Sequence, residues 1–178
     1  MDLKHSSSSE PVAPAPSRSR LRTLVVALVR LLAASSLLAV GGVHIQQYTV
    51  QDYRVIPTIG PLFLLNFIGG TVLGLYFLIP VGRNAGRFRL LLDAVAALAG
   101  WFLAAGALVG LLVSEHTPLF GFMEHGYRFA IVFAIFSEAV AIVTLTILLA
   151  NGRVSARRRH GARRDQMTTV MSAADSTR

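Results

Sequence analysis

Cysteine is absent from the sequence, which excludes disulfides, thiolate metal sites, cysteine nucleophiles and thiol redox relays. Charge is scarce too: 15% of the 178 residues are Asp, Glu, Lys or Arg, against 53% hydrophobic, and the mean hydropathy is +0.58. Soluble domains carry about a quarter charged residues, so this composition is that of a chain that lives in hydrocarbon. Acidic residues are the rarer sign, nine against seventeen basic ones. Lysine is nearly missing as well, Lys4 standing alone among arginines; a coding bias accounts for that preference as readily as a function does. No phosphate-binding glycine loop, nucleophile motif or cofactor fingerprint is found, so no cofactor is assigned and enzymatic activity is left open, leaning against.

What the sequence has is long apolar runs. Four are long enough to cross a hydrocarbon core of about 30 Å as helices: Leu24–Val43, Ile59–Val81, Leu90–Val113 and Tyr127–Ala150. They are continuous rather than alternating, which fits helices and not barrel strands. The expected fold is all-α, a four-helix transmembrane bundle over residues 23–150. It is flanked by a disordered tail at 1–22 and a basic, largely unstructured tail at 151–178. "HSSSSEPVAPAPSRSR" (His5–Arg20) is rich in Ser and Pro and has nothing to bury. The second tail opens on Asn151-Gly152, a helix-stop signal. The connections Gln46–Thr58, Gly82–Arg89 and Ser114–Gly126 are too short to hold a soluble domain. A cleaved signal peptide at the first run is disfavoured, because Arg30 interrupts the apolar stretch and some twenty polar residues precede it.

Arginine placement sets the expected orientation. Lys4, Arg18, Arg20 and Arg22 precede the first run, Arg83, Arg87 and Arg89 follow the second, and Arg153, Arg157, Arg158, Arg159, Arg163 and Arg164 follow the fourth. Only Arg54 and Arg128 fall in the opposite connections. The positive-inside rule then places both termini in the cytoplasm of a multi-pass plasma-membrane protein. Arg157, Arg158, Arg159, Arg163 and Arg164 lie where anionic lipid headgroups would meet them. A pure topology signal explains the same residues, and nucleic acid is not an expected partner.

The polar residues inside the runs are the candidate site residues. Glu138 lies about 16 Å along the fourth run from its outer end, on the face of Ala130, Ala134 and Ala141. It should therefore point into the bundle, where an acid needs a partner. Trp101 reaches a similar depth on the third run, and its indole N–H is a candidate donor to Glu138. Arg30 and Asp93 both lie within about two turns of the cytoplasmic boundary. They either pair with each other, or Arg30 snorkels to the headgroups while Asp93 caps its helix. His44 stands at the outer end of the first run, and Asn66 shares a face with Gly70 on the second. Gly70 and Gly74, and Gly106 and Gly110, have the GxxxG spacing of close-packed membrane helices.

His44, Glu115, His116, Glu124 and His125 all fall on the outer side. Imidazole and carboxylate of this kind suit a divalent metal, but no His-x-x-His or Glu-x-x-His spacing supports one. Bis-histidine haem has less support still, since only His44 sits at a helix end facing another helix.

The most distinctive text runs from His44 to Gly70, "HIQQYTVQDYRVIPTIGPLFLLNFIGG", with Pro57 and Pro61 bracketing the start of the second helix and Tyr48 and Tyr53 suited to the membrane interface. An H-x-x-x-Y stretch followed by "IPTIGPLFLLN", together with "LFGFMEHGYR" and the acid at Glu138, resembles a family of small actinobacterial four-helix membrane proteins. The resemblance covers about residues 24–150. It implies the topology and compartment given above; that family has no established activity, so no catalytic residue is carried over. "PLF" recurs at Pro61–Phe63 and Pro118–Phe120, an echo too short to establish a duplicated hairpin.

Three function classes follow. The first is a non-enzymatic scaffold, accessory or oligomer-forming component, alone or with another membrane protein, whose polar groups serve packing. The second is a small transporter or proton-coupled carrier using Glu138. The third is a membrane quinone or haem oxidoreductase resting on His44.

Overall fold

The computed structural model describes the backbone of residues 18–80, 86–121, 123 and 128–175, and the side chains of these except 18, 19, 87 and 153–175. Among the described residues the fold is an all-α bundle: α1 is Arg18–Val50, α2 Ile59–Leu78, α3 Arg87–Ser114 and α4 Phe129–Asp175, with a short 3-10 turn at Tyr53–Val55. All four are long and apolar enough to cross a membrane, over Arg20–Val50, Ile59–Leu78, Phe88–Ser114 and Phe129–Gly152. Their outward faces are as apolar as their cores. Leu65, Ile68, Val72 and Leu75 form a stripe along α2 at helical spacing, and each is at least half exposed, as are Phe102 and Val109 of α3 and Phe136 and Val143 of α4. Such a stripe is stable in lipid and costly in water.

Helix ends differ from the sequence expectation in two places. α1 runs past Val43 to Val50, so Gln46, Gln47 and Tyr48 are helical rather than part of a loop. α4 does not stop at Asn151-Gly152 but continues to Asp175. One glycine costs a helix about 1 kcal/mol, and a helix already running extends more easily than one is nucleated. The Ala- and Arg-rich sequence that follows favours extension, so residues 151–175 are helical where a largely unstructured tail was expected. The expected disordered tail at 1–22 lies outside the described residues up to 17, and α1 has begun by Arg18.

The tightest contact in the bundle is between α1 and α2, which run antiparallel. A Cβ on Gly70 would stand 2.7 Å from the Leu37 carbonyl oxygen and 3.0 Å from the Gly41 amide nitrogen. One on Gly41 would be 3.1 Å from the Phe67 carbonyl, and one on Gly74 would be 2.7 Å from Leu38 and 3.1 Å from the Ala34 carbonyl. Only hydrogen fits at these positions, so the first GxxxG pair does bring backbones together. The core beyond it is built of small side chains, Ala33, Ala34, Ala96, Ala97, Ala104 and Ala141, with Leu37, Phe77 and Leu145 as its bulk.

Packing is uneven around the bundle. α1 lies along both α2 and α4, and α4 along α3, whereas α2 and α3 meet over a much shorter stretch and α3 barely reaches α1. The order around the bundle is therefore α2, α1, α4, α3, with the weakest seam between α2 and α3.

At the end of the bundle where α2 finishes and α3 begins, one carboxylate closes that seam. Arg30 Nη1 of α1 donates to Asp93 Oδ1 of α3 at 3.2 Å, and the Tyr76 hydroxyl of α2 donates to the same oxygen at 2.9 Å. Arg30 Nη2 also donates to the Ile79 carbonyl at 3.3 Å, and its guanidinium lies 5.2 Å from the Phe77 ring centre. Arg89, one turn before Asp93, makes an ion-pair contact at 3.5 Å and lies 4.9 Å over the Tyr76 ring. Of the two sequence accounts of Arg30 and Asp93, pairing is the one the structure adopts.

Two measurements check this packing. Gly70→Ala should lower the melting temperature in detergent, at a cost of about 1–3 kcal/mol for the forced backbone separation. Gly106→Ala, where nothing lies within 4 Å of the new Cβ, should be neutral or raise it by up to about 1 kcal/mol of helix propensity. For the ion pair, Arg30→Leu and Asp93→Leu should each destabilise the protein. The double variant should be more stable than the sum of the two, with a coupling of roughly 0.5–3 kcal/mol in thermal unfolding.

Candidate functional site

The three core helices share a reference level. A Cβ on Gly100 of α3 would lie 3.1 Å from Leu145 of α4 and 3.4 Å from Leu37 of α1. From that junction, seven residues lead along α1 to His44, back along α4 to Glu138 and along α3 to Ala107. Each step is about 10 Å, in the same direction across the bundle. On α2, the contacts of Gly70 with Leu37 and Gly41 put Asn66, one turn earlier, at the same height. Three helices thus bring a polar side chain to one level, while α3 brings Gly106, Ala107 and Gly110.

The small residues leave space there. A cavity of about 590 Å³ runs along the α2–α3 seam, lined on α2 from Ile59 to Leu73 and on α3 from Ala99 to Ser114. α1 contributes Val43, His44 and Gln47 to its back wall, and α4 contributes Ile131, Ala134 and Glu138. Most of the lining is apolar, and the volume falls in the range of small-molecule sites, about 300–1,000 Å³. The second GxxxG pair therefore does something the first does not. A Cβ added to Gly106 would meet no atom within 4 Å, and one added to Gly110 would meet only Leu119, at 3.8 Å; these glycines shape the cavity instead of receiving a helix. Leu103 lies across the seam against Gly69 and forms part of the same wall.

Hydrogen bonding within the wall is incomplete. Glu138 is 1% exposed, and its Oε2 accepts no hydrogen bond from any described group. Gln47, 3% exposed, has its Oε1 in the same condition. His44, 7% exposed, donates from Nδ1 to the Val40 carbonyl at 2.8 Å; this places the proton on Nδ1 and leaves Nε2 as an acceptor. The His44 ring packs on Phe63, 4.9 Å between ring centres, and Phe63 meets Tyr53 edge-on at 5.3 Å. Tyr53 in turn accepts from Arg128 Nη2 at 2.9 Å, while Arg128 Nη1 donates to Gln51 at 3.1 Å, tying the 3-10 turn to the start of α4. Other buried hydroxyls need nothing from outside their own helices: Ser36, Ser137 and Thr144 each donate to a carbonyl three or four residues earlier.

The remaining sequence candidates are dispersed. Trp101 Nε1 donates to Thr146 Oγ1 at 3.1 Å, so its single donor does not serve Glu138. Helical side chains lean toward their own N-terminus, which carries the indole away from Glu138 and toward Thr146, about 12 Å further along α4. Asn66 lines the cavity, half-buried. His116 is exposed and bonds from Nδ1 to the Leu112 carbonyl at 2.9 Å, and Glu115 is half-buried at the end of α3. Glu124 and His125 lie outside the described residues, as do the side chains of Arg157, Arg158, Arg159, Arg163 and Arg164. Among the described residues no three His, Cys, Asp or Glu side chains gather as a metal ion would require.

Gln47, Tyr76 and Thr146 were not singled out by the sequence, and Arg89 was read only as part of the topology signal. Gln47 follows His44 by three residues and would have been found on its face had α1 been carried past Val43. Tyr76 and Thr146 had no such signal, since each is a single polar group near a membrane helix end. Compared with protein-family models, with curated proteins and with solved structures, the chain matches none.

Proposed function

We propose that this chain is a multi-pass plasma-membrane binding protein that takes a small lipophilic molecule from the bilayer into the α2–α3 seam, as a carrier or as the ligand-binding part of a larger membrane assembly. One observation carries the reading: the carboxyl of Glu138, almost fully buried and unanswered at Oε2 by any described group, lies on the wall of an apolar cavity of about 590 Å³. A carboxyl kept only for packing would be answered within the bundle, as Asp93 is by Arg30 and Tyr76. A buried polar group left unanswered costs about 1–3 kcal/mol, which is tolerated where a ligand supplies the missing partner. This favours a carrier-type role for Glu138 over a scaffold whose polar residues serve packing. The arginine distribution supports cytoplasmic termini, which would put the mouth near Tyr53 and Leu119 on the outer face. The basic stretch after Gly152 would then meet anionic lipid on the inner leaflet.

Occupancy of the cavity and orientation are separately testable. Gly106→Leu adds a side chain to the wall at a position with open space around it. Native mass spectrometry from mild detergent should show a lipophile of a few hundred daltons on the wild type and none on this variant, at equal melting temperature; equal occupancy of the two would sink the reading. The natural lack of cysteine makes accessibility labelling direct. Cysteines placed at Ser7 and Ser172 should resist a membrane-impermeant thiol reagent in intact cells and one at Thr49 should react, the reverse pattern meaning the opposite orientation.

A further inference from the structure

The polar groups around the cavity are unequal in kind. Glu138 offers a carboxyl with Oε2 unanswered, Gln47 offers an unanswered Oε1, and His44, having committed Nδ1–H to Val40, offers Nε2. With Glu138 ionised each of these three atoms is an acceptor, while the Gln47 amide also carries N–H donors beside its Oε1. Glu138 and Gln47 are each more than nine-tenths buried, and both line the cavity together with His44. Asn66, also in the lining, is like Gln47 an amide with both donors and an acceptor. Arg128, just before α4, is engaged by Gln51 and Tyr53 and does not line the cavity.

A site that presents acceptors discriminates by what it is offered. A ligand whose head is itself an acceptor, such as a carboxylate or a carbonyl, would leave Glu138 Oε2, Gln47 Oε1 and His44 Nε2 unanswered and, if anionic, would meet the Glu138 carboxylate as a like charge. A donor head answers them. A head that is also cationic meets the carboxylate as counter-ion, and a charge-assisted hydrogen bond is roughly twice as strong as a neutral one. An ammonium carries three donors and no acceptor, matching in number the acceptors of α1 and α4. The apolar wall above and below, from Ile59 to Leu73 on α2 and from Ala99 to Ser114 on α3, accommodates a hydrocarbon body.

We propose that the cavity binds an amphiphilic amine, a lipophilic body bearing a protonated, hydrogen-bond-donating ammonium head, with Glu138 as counter-ion and Gln47 and His44 as the further acceptors. This rests on the ligand-binding reading of the same cavity and adds the chemical class of the ligand.

Four probes with one dodecyl chain and different heads test it: dodecylammonium, dodecyltrimethylammonium, dodecanol and dodecanoate. Each is titrated calorimetrically into the full-length protein in phosphatidylcholine nanodiscs, with protein-free nanodiscs as the blank for partitioning. Dodecylammonium should show saturable binding at least tenfold tighter than dodecyltrimethylammonium, which has the charge without the donors, and than dodecanol, which has one donor without the charge. Dodecanoate should show none above the blank. Glu138→Gln should bring dodecylammonium to the level of dodecanol, and Gln47→Leu should weaken it several-fold. The wild-type probe series decides the question even if Glu138→Gln does not fold. Saturable binding that is indifferent to the head group, or tightest for dodecanoate, would overturn the ammonium assignment and leave the cavity reading standing. No saturable binding by any of the four would overturn both.

Discussion

Backbone contact between α1 and α2 at Gly41, Gly70 and Gly74 is the constraint on which the rest of the bundle is arranged. Lipid offers no hydrophobic drive for helices to associate, so the approach of bare backbones supplies the packing instead. With α2 held against one side of α1 and α4 against the other, α3 is left to dock on α4. Four helices of comparable width could close in a ring only if α2 and α3 also met along their length. They do not, because α3 turns Gly106, Ala107 and Gly110 toward the seam where larger side chains would have bridged it. The same small-residue spacing thus gives a contact in one helix and a space in another, according to whether a backbone stands opposite.

Two intramembrane carboxyls show the consequence of that asymmetry. Asp93 lies where α1, α2 and α3 converge at the end of the bundle, so Arg30, Tyr76 and Arg89 all reach it. It ties α3 to α1 and α2, with which α3 shares little other contact. Glu138 lies on the wall of the seam cavity, with His44 of α1 and Asn66 of α2 near its height, and no described group answers its Oε2. A charge or dipole in hydrocarbon needs an answer within hydrogen-bond reach. One acid finds it inside the chain; at Oε2 of the other no described group supplies it.

The four spans were legible because hydrocarbon imposes length and apolarity directly on sequence. Ile59 as the start of α2 and Ser114 as the end of α3 agree with the apolar runs to within a residue. The Arg30–Asp93 pair was legible as one of two alternatives, since matching depth can be counted along a helix while rotation about its axis cannot. Gln47 was missed because an apolar run marks where a helix enters lipid rather than where its hydrogen bonding ends, and α1 continues for two turns beyond. The Trp101–Glu138 contact was wrongly expected because depth counted from run ends is imprecise: Gly100 packs level with Leu145, so Trp101 lies about 9 Å from the height of Glu138 and its indole reaches Thr146.

By itself the sequence determined an all-helical chain of four membrane-length segments and the inward facing of Glu138, because both follow from one-dimensional quantities, run length and helical spacing of small residues. Only the tertiary structure decided which glycine pair touches a backbone and which borders a cavity, and that His44, Gln47 and Glu138 share that cavity while the indole of Trp101 turns elsewhere. Those outcomes depend on the order of helices around the bundle and on the rotation of each about its axis. In a bilayer, where every face of every helix is apolar enough to be outermost, sequence periodicity carries little of that information.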